Sequence, residues 1–119
     1  MWIAMNDSFI SIVADRNNEL GVAVRARVKE DLESLFPEHI EDIVETDDSD
    51  YRFRLFLDQQ YVAMAIEERI MNISYYNFKD SVKQPWRKTA YMRIWSVMNE
   101  VQERLYGKQK MSDWYMNYR

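Results

Sequence analysis

The segment YRFRLFLDQQYVAMAIEERIMNIS, Tyr51 to Ser74, reads as a strand that runs straight into a helix. Tyr51, Phe53, Leu55 and Leu57 alternate with Arg52, Arg54 and Phe56, the period of a pleated strand. Asp58 then stands at an N-cap position, where a carboxylate can accept from a free N–H of the first helical turn. Val62, Ile66, Ile70 and Ile73 recur at helical spacing and define one apolar stripe. A sheet face and a helix stripe joined without a break enclose a core between them. The segment therefore argues for an α+β fold.

Working outward, the chain before it repeats the same plan. FISIVA (Phe9–Ala14) is apolar on both faces, the pattern of an interior strand. After the polar loop DRNNELG, Val22, Val24, Ala26 and Val28 alternate with Ala23, Arg25, Arg27 and Lys29, a one-sided strand. EDLESLF (Glu30–Phe36) is a short helix that Pro37 ends, and Ile40 to Thr46 is expected as a further strand. DDSD (Asp47–Asp50) forms a turn. Met1–Met5 is a short apolar segment followed by a turn at Asn6–Asp7. The expected fold is one small α+β domain over residues 1–119. It has a mainly antiparallel sheet of four or five strands in ββα-ββα order and a long C-terminal helix.

That helix is expected from Arg87 to Tyr106, with Pro85 in a first turn and Gly107 just past its end. Tyr91, Ile94, Met98, Val101 and Leu105 form its apolar stripe, widened by Trp95 and Val97. Tyr75 to Lys83 is a loop or a short helical turn.

Composition bounds the chemistry. The 119 residues include no Cys, so thiol nucleophiles, disulfides and thiolate metal sites are excluded. The two glycines, Gly21 and Gly107, are too far apart for a dinucleotide fingerprint or a P-loop. His39 is the only histidine and follows Pro37-Glu38 in a turn. Asp47, Asp48 and Asp50 lack the Gly and the closing Glu of a calcium-binding loop. Glu67 and Glu68 are adjacent on a helix and point apart. No catalytic residue, metal site or cofactor is expected. No run is apolar enough to span a membrane, and the N-terminus lacks a secretory pattern, which fits a cytoplasmic protein.

Charge is strongly segregated. Ten acids and no Lys or Arg lie between Glu30 and Asp50, whereas Arg69 to Arg119 holds ten Lys or Arg against four acids. The last 34 residues also concentrate Trp, Tyr and Met, an interface composition. The expectation is a non-catalytic protein-binding module: an inhibitor, adaptor or self-associating regulator. In its sharpest form it is a phage or mobile-element anti-defence protein of the anti-CRISPR kind, whose carboxylates imitate a phosphate backbone. The partner is then another protein, such as a nucleic-acid-binding complex, or a second copy of the chain. Candidate contacts are Trp86, Trp95, Trp114 and Tyr115, with the acidic residues Glu41, Asp42, Asp47, Asp48 and Asp50. The alternative is a single-stranded nucleic-acid binder using Arg25, Arg27, Arg52 and Arg54 on the sheet and Lys79, Lys83, Arg87 and Lys88 near Trp86. An enzyme without a recognisable motif is the third reading.

Overall fold

The computed structural model describes residues 1–107. The chain divides into two compact units, Met1–Ile73 and Ser74–Arg119. The first is the α+β unit the alternation predicts. Its five strands are β1 (Trp2–Ala4), β2 (Phe9–Ala14), β3 (Gly21–Ala26), β4 (Val44–Glu45) and β5 (Phe53–Asp58). They form one antiparallel sheet in the order β1-β2-β3-β5-β4. Two helices belong to this unit, α1 (Lys29–Leu35) and α2 (Gln59–Met71).

Register explains why the core lies where it does. Val22, Val24 and Ala26 of β3 stand opposite Leu57, Leu55 and Phe53 of β5, and Ile12 stands opposite Val24. Side chains alternate along a strand, so these residues and Ile10 share one face. Leu32 and Leu35 of α1, Phe36 just after it, and Val62 of α2 pack on that face to close the core. A carboxylate fixes α1 in place: Asp31 is buried, and its Oδ2 accepts the N–H of Phe9 at 2.9 Å. At the start of α2, Asp58 is the N-cap residue, but its side chain makes no cap hydrogen bond. The Gln59 N–H instead donates to the Leu20 carbonyl at 2.8 Å, a tertiary partner for one otherwise orphaned donor.

The apolar N-terminus supplies the fifth strand, β1, at one edge of the sheet, paired with β2 from Trp2 to Ala4. Two expectations are corrected. Ile40–Thr46 is not a strand. Pro37 opens a 3₁₀ segment, Pro37–Asp42, and only Val44–Glu45 joins the sheet. Ile40, Ile43 and Val44 do not alternate, so no register puts all three on the core face. Tyr51, expected beside Phe53, lies before the strand begins and takes another course, described below.

The second unit contains α3 (Phe78–Ser81) and the 22-residue α4 (Pro85–Tyr106). Asn77 caps α3 by accepting the Asp80 N–H at 3.1 Å. Pro85 lies in the first turn of α4, where its missing N–H costs nothing. Gly107 ends the helix at φ 89°, a conformation that L side chains rarely adopt, while its N–H closes onto the Glu103 carbonyl.

Candidate functional site

The inner sheet face is wider than the helices that cover it. Beside α2, the inward residues Ile3, Ile12 and Ala14 meet Val62, Ile66, Ile70 and Met71 across an open groove of about 580 Å³. Its lining is predominantly apolar, and Glu19 and Glu67 supply carboxylates to it. The expected α2 stripe is therefore only half used. Val62 is buried and Ile66 partly so, but Ile70 and Ile73 are exposed. A second groove, about 510 Å³, runs between α2 and the end of α1, lined by Leu35, Pro37, Tyr61 and Met64 with Glu38 and Glu68.

One ion pair ties α2 to the turn between β1 and β2. Arg69 of α2 grips Asp7, in the β1–β2 turn, with two hydrogen bonds of 2.8 and 3.0 Å. Burial by itself would raise the Asp7 pKa. The hydrogen bonds and charge of Arg69 outweigh it, with help from the Ser8 hydroxyl, and hold the carboxyl below its ordinary value.

On the outer sheet face, arginines gather around one ring. The Arg25 and Arg27 guanidiniums lie 4.5 and 4.2 Å from the centroid of Tyr51, which is only 3% exposed. Arg25 also donates to the Ser11 hydroxyl at 2.7 Å. Arg54, the cross-strand neighbour of Arg25, bonds Ser49 and lies 3.8 Å from Asp50. Arg52 leaves this group and pairs with Glu45 and Asp47. Three of the four strand arginines thus share a site, but the aromatic ring among them is already covered. Phe56, on the same face, is exposed.

The five acidic candidates, Glu41, Asp42, Asp47, Asp48 and Asp50, are all exposed and flank the edge strand β4. Asp42 pairs with His39 at 3.1 Å, Asp47 with Arg52 and Asp50 with Arg54. Arg52 and Arg54 therefore partly neutralise this edge. His39 also meets the Tyr61 ring edge-on at 5.2 Å. Among the described residues, no group of three or more His, Asp or Glu side chains is placed to hold a metal ion.

On α4, Trp86 and Trp95 do not form one patch. They are nine positions apart, which puts them on opposite sides of the helix. Trp86 is half-exposed and Trp95 intermediate. Trp114 and Tyr115 lie outside the described residues. Of the basic candidates, Lys83 is exposed, while Lys79 and Lys88 are partly buried. Arg87 is 2% exposed, donates to Gln84 at 2.6 Å and covers the Trp86 ring.

The groove was missed in the sequence reading because periodicity marks which residues are apolar, not how wide the sheet is relative to its helices. The signal that could have found it was Ile70 and Met71, which extend the α2 stripe beyond the reach of a short α1. The chain matches no protein-family model, and it shows no match among curated proteins or solved structures. Among the described residues, no helix is long and apolar enough to cross a membrane.

Proposed function

We propose that the chain is a non-catalytic protein-binding module, an inhibitor or adaptor, whose first unit receives an apolar partner segment flanked by basic side chains. The observation that carries this reading is the open groove beside α2. Its walls offer branched aliphatic and Met side chains at helical and strand spacing, which suits an amphipathic helix laid lengthwise. Its charge selects the partner's sign. Met1–Ile73 holds sixteen Asp or Glu against seven Lys or Arg, and Glu19 and Glu67 lie on the groove itself. Such a field attracts cationic segments and repels acidic ones. An anti-defence role is one form of this activity, with a cationic, nucleic-acid-binding partner.

The test uses a fluorescent amphipathic peptide of about 15 residues, with Leu at i, i+4 and i+7 and Lys on its flanks. Anisotropy should show micromolar binding that weakens with salt, and Ile70→Glu should reduce the affinity at least tenfold. Equal binding of an analogue with Glu for Lys, or no effect of Ile70→Glu, would remove the groove from the account. The competing reading, single-stranded nucleic acid on the outer face, receives less support because Tyr51 is covered by Arg25 and Arg27. Tight, salt-sensitive binding of an oligothymidine lost on Arg54→Ala and Phe56→Ala would reverse that preference.

A further inference from the structure

The apolar stripe of α4 faces outward. Ile94, Val97, Met98, Val101 and Leu105 are all exposed, between 39 and 67%. The partly buried row, Met92, Trp95, Asn99 and Glu103, runs along the other side of the helix. A helix of 22 residues thus carries a continuous, exposed aliphatic seam. Such a seam is costly to leave in water.

Charge identifies the occupant. Arg93 and Glu100 flank this seam on the same side, one heptad apart. Both are exposed, and among the described residues neither forms an ion pair within the chain. In an antiparallel pair of identical helices, residues on this flank meet their counterparts across the two-fold axis. When the axis passes the level of Trp95 and Ser96, Arg93 meets Glu100 of the second copy, and the symmetry repeats the pair. The same register sets Ile94 against Val97 and Ala90 against Val101 of the other helix. A parallel pair would instead set Arg93 against Met98 and Glu100 against Leu105, with no opposite charges in contact.

We infer that α4 is a self-association surface, pairing two copies of the chain antiparallel through Ile94, Val97 and Val101 with reciprocal Arg93–Glu100 ion pairs. This does not depend on the groove beside α2.

Light scattering and sedimentation over a concentration series test it on the full chain. The expected species is a dimer of twice 14.5 kDa. Val97→Glu places a carboxylate in the seam and should raise the dimer Kd at least tenfold. Because Val97 is exposed, the circular dichroism of this variant should match that of the parent. Arg93→Glu or Glu100→Arg alone should weaken the dimer about threefold or more, and the double exchange should restore it. A monomer at every concentration up to about 100 μM, or a dimer indifferent to Val97→Glu, overturns the inference. Single exchanges that weaken without rescue by the double exchange overturn the antiparallel register.

Discussion

Replacing Asp7 or Arg69 tests how α2 is held to the β1–β2 turn. The pair joins α2 to the β1–β2 turn, residues 62 apart in sequence, so no local structure substitutes for it. A bidentate, charge-assisted contact is worth about 1.5–3 kcal/mol when desolvated, and exposed pairs about 0.2–1 kcal/mol. Arg69 is 29% exposed at its side chain and Asp7 47%, so solvent screening reduces the figure to about 1 kcal/mol. The sign with pH follows from the depressed pKa. Stability from this carboxylate is present above its unfolded pKa near 3.8 and is lost as pH falls through the lower folded value. A double-mutant cycle of Asp7→Asn and Arg69→Met, measured by urea unfolding, should give a coupling of about 1 kcal/mol at pH 7. It should shrink at pH 3 and in 1 M salt. Each single variant should also weaken the amphipathic peptide, since α2, which forms one wall of the groove, loses its tie to the β1–β2 turn. A coupling below about 0.3 kcal/mol, or one unchanged between pH 7 and pH 3, would refute the reasoning.

Three further outcomes follow from the packing. Leu55→Ala, at a fully buried position between β3 and the helices, should cost about 2–5 kcal/mol in urea unfolding of the first unit. Tyr51→Leu keeps an apolar side chain, though a smaller one, and removes the ring beside Arg25 and Arg27; it should cost about 1–3 kcal/mol, with increased exchange of the β3 and β5 amides. Asp31→Ala leaves the Phe9 N–H without its carboxylate acceptor and should cost about 1–3 kcal/mol, seen as a lower urea midpoint at neutral pH.

The sequence by itself determined the elements with the strongest periods. β3, β5, α1, α2 and α4 are legible because alternation or helical spacing is regular over six or more residues, and β2 because its short run is apolar on both faces. The charge segregation, the missing thiols and the absence of a phosphate loop were likewise readable, since they are properties of composition. Only the tertiary structure decided which apolar stripes are covered. Ile66 and Ile70 belong to one stripe, yet only the first packs on the core, while Ile70 lines the open groove between α2 and the ends of β1 and β2. Tyr51 reads as a strand residue, yet it enters cation–π contacts with Arg25 and Arg27 that depend on the register of β3 against β5. The α4 stripe reads as one apolar face widened by Trp95, yet Trp95 lies in the half-buried row with Met92, Asn99 and Glu103, and the stripe itself is exposed. A hydrophobic period records that a face can be buried. Whether it is buried within the chain depends on the area its neighbours can cover, and that is set by contacts between residues distant in sequence.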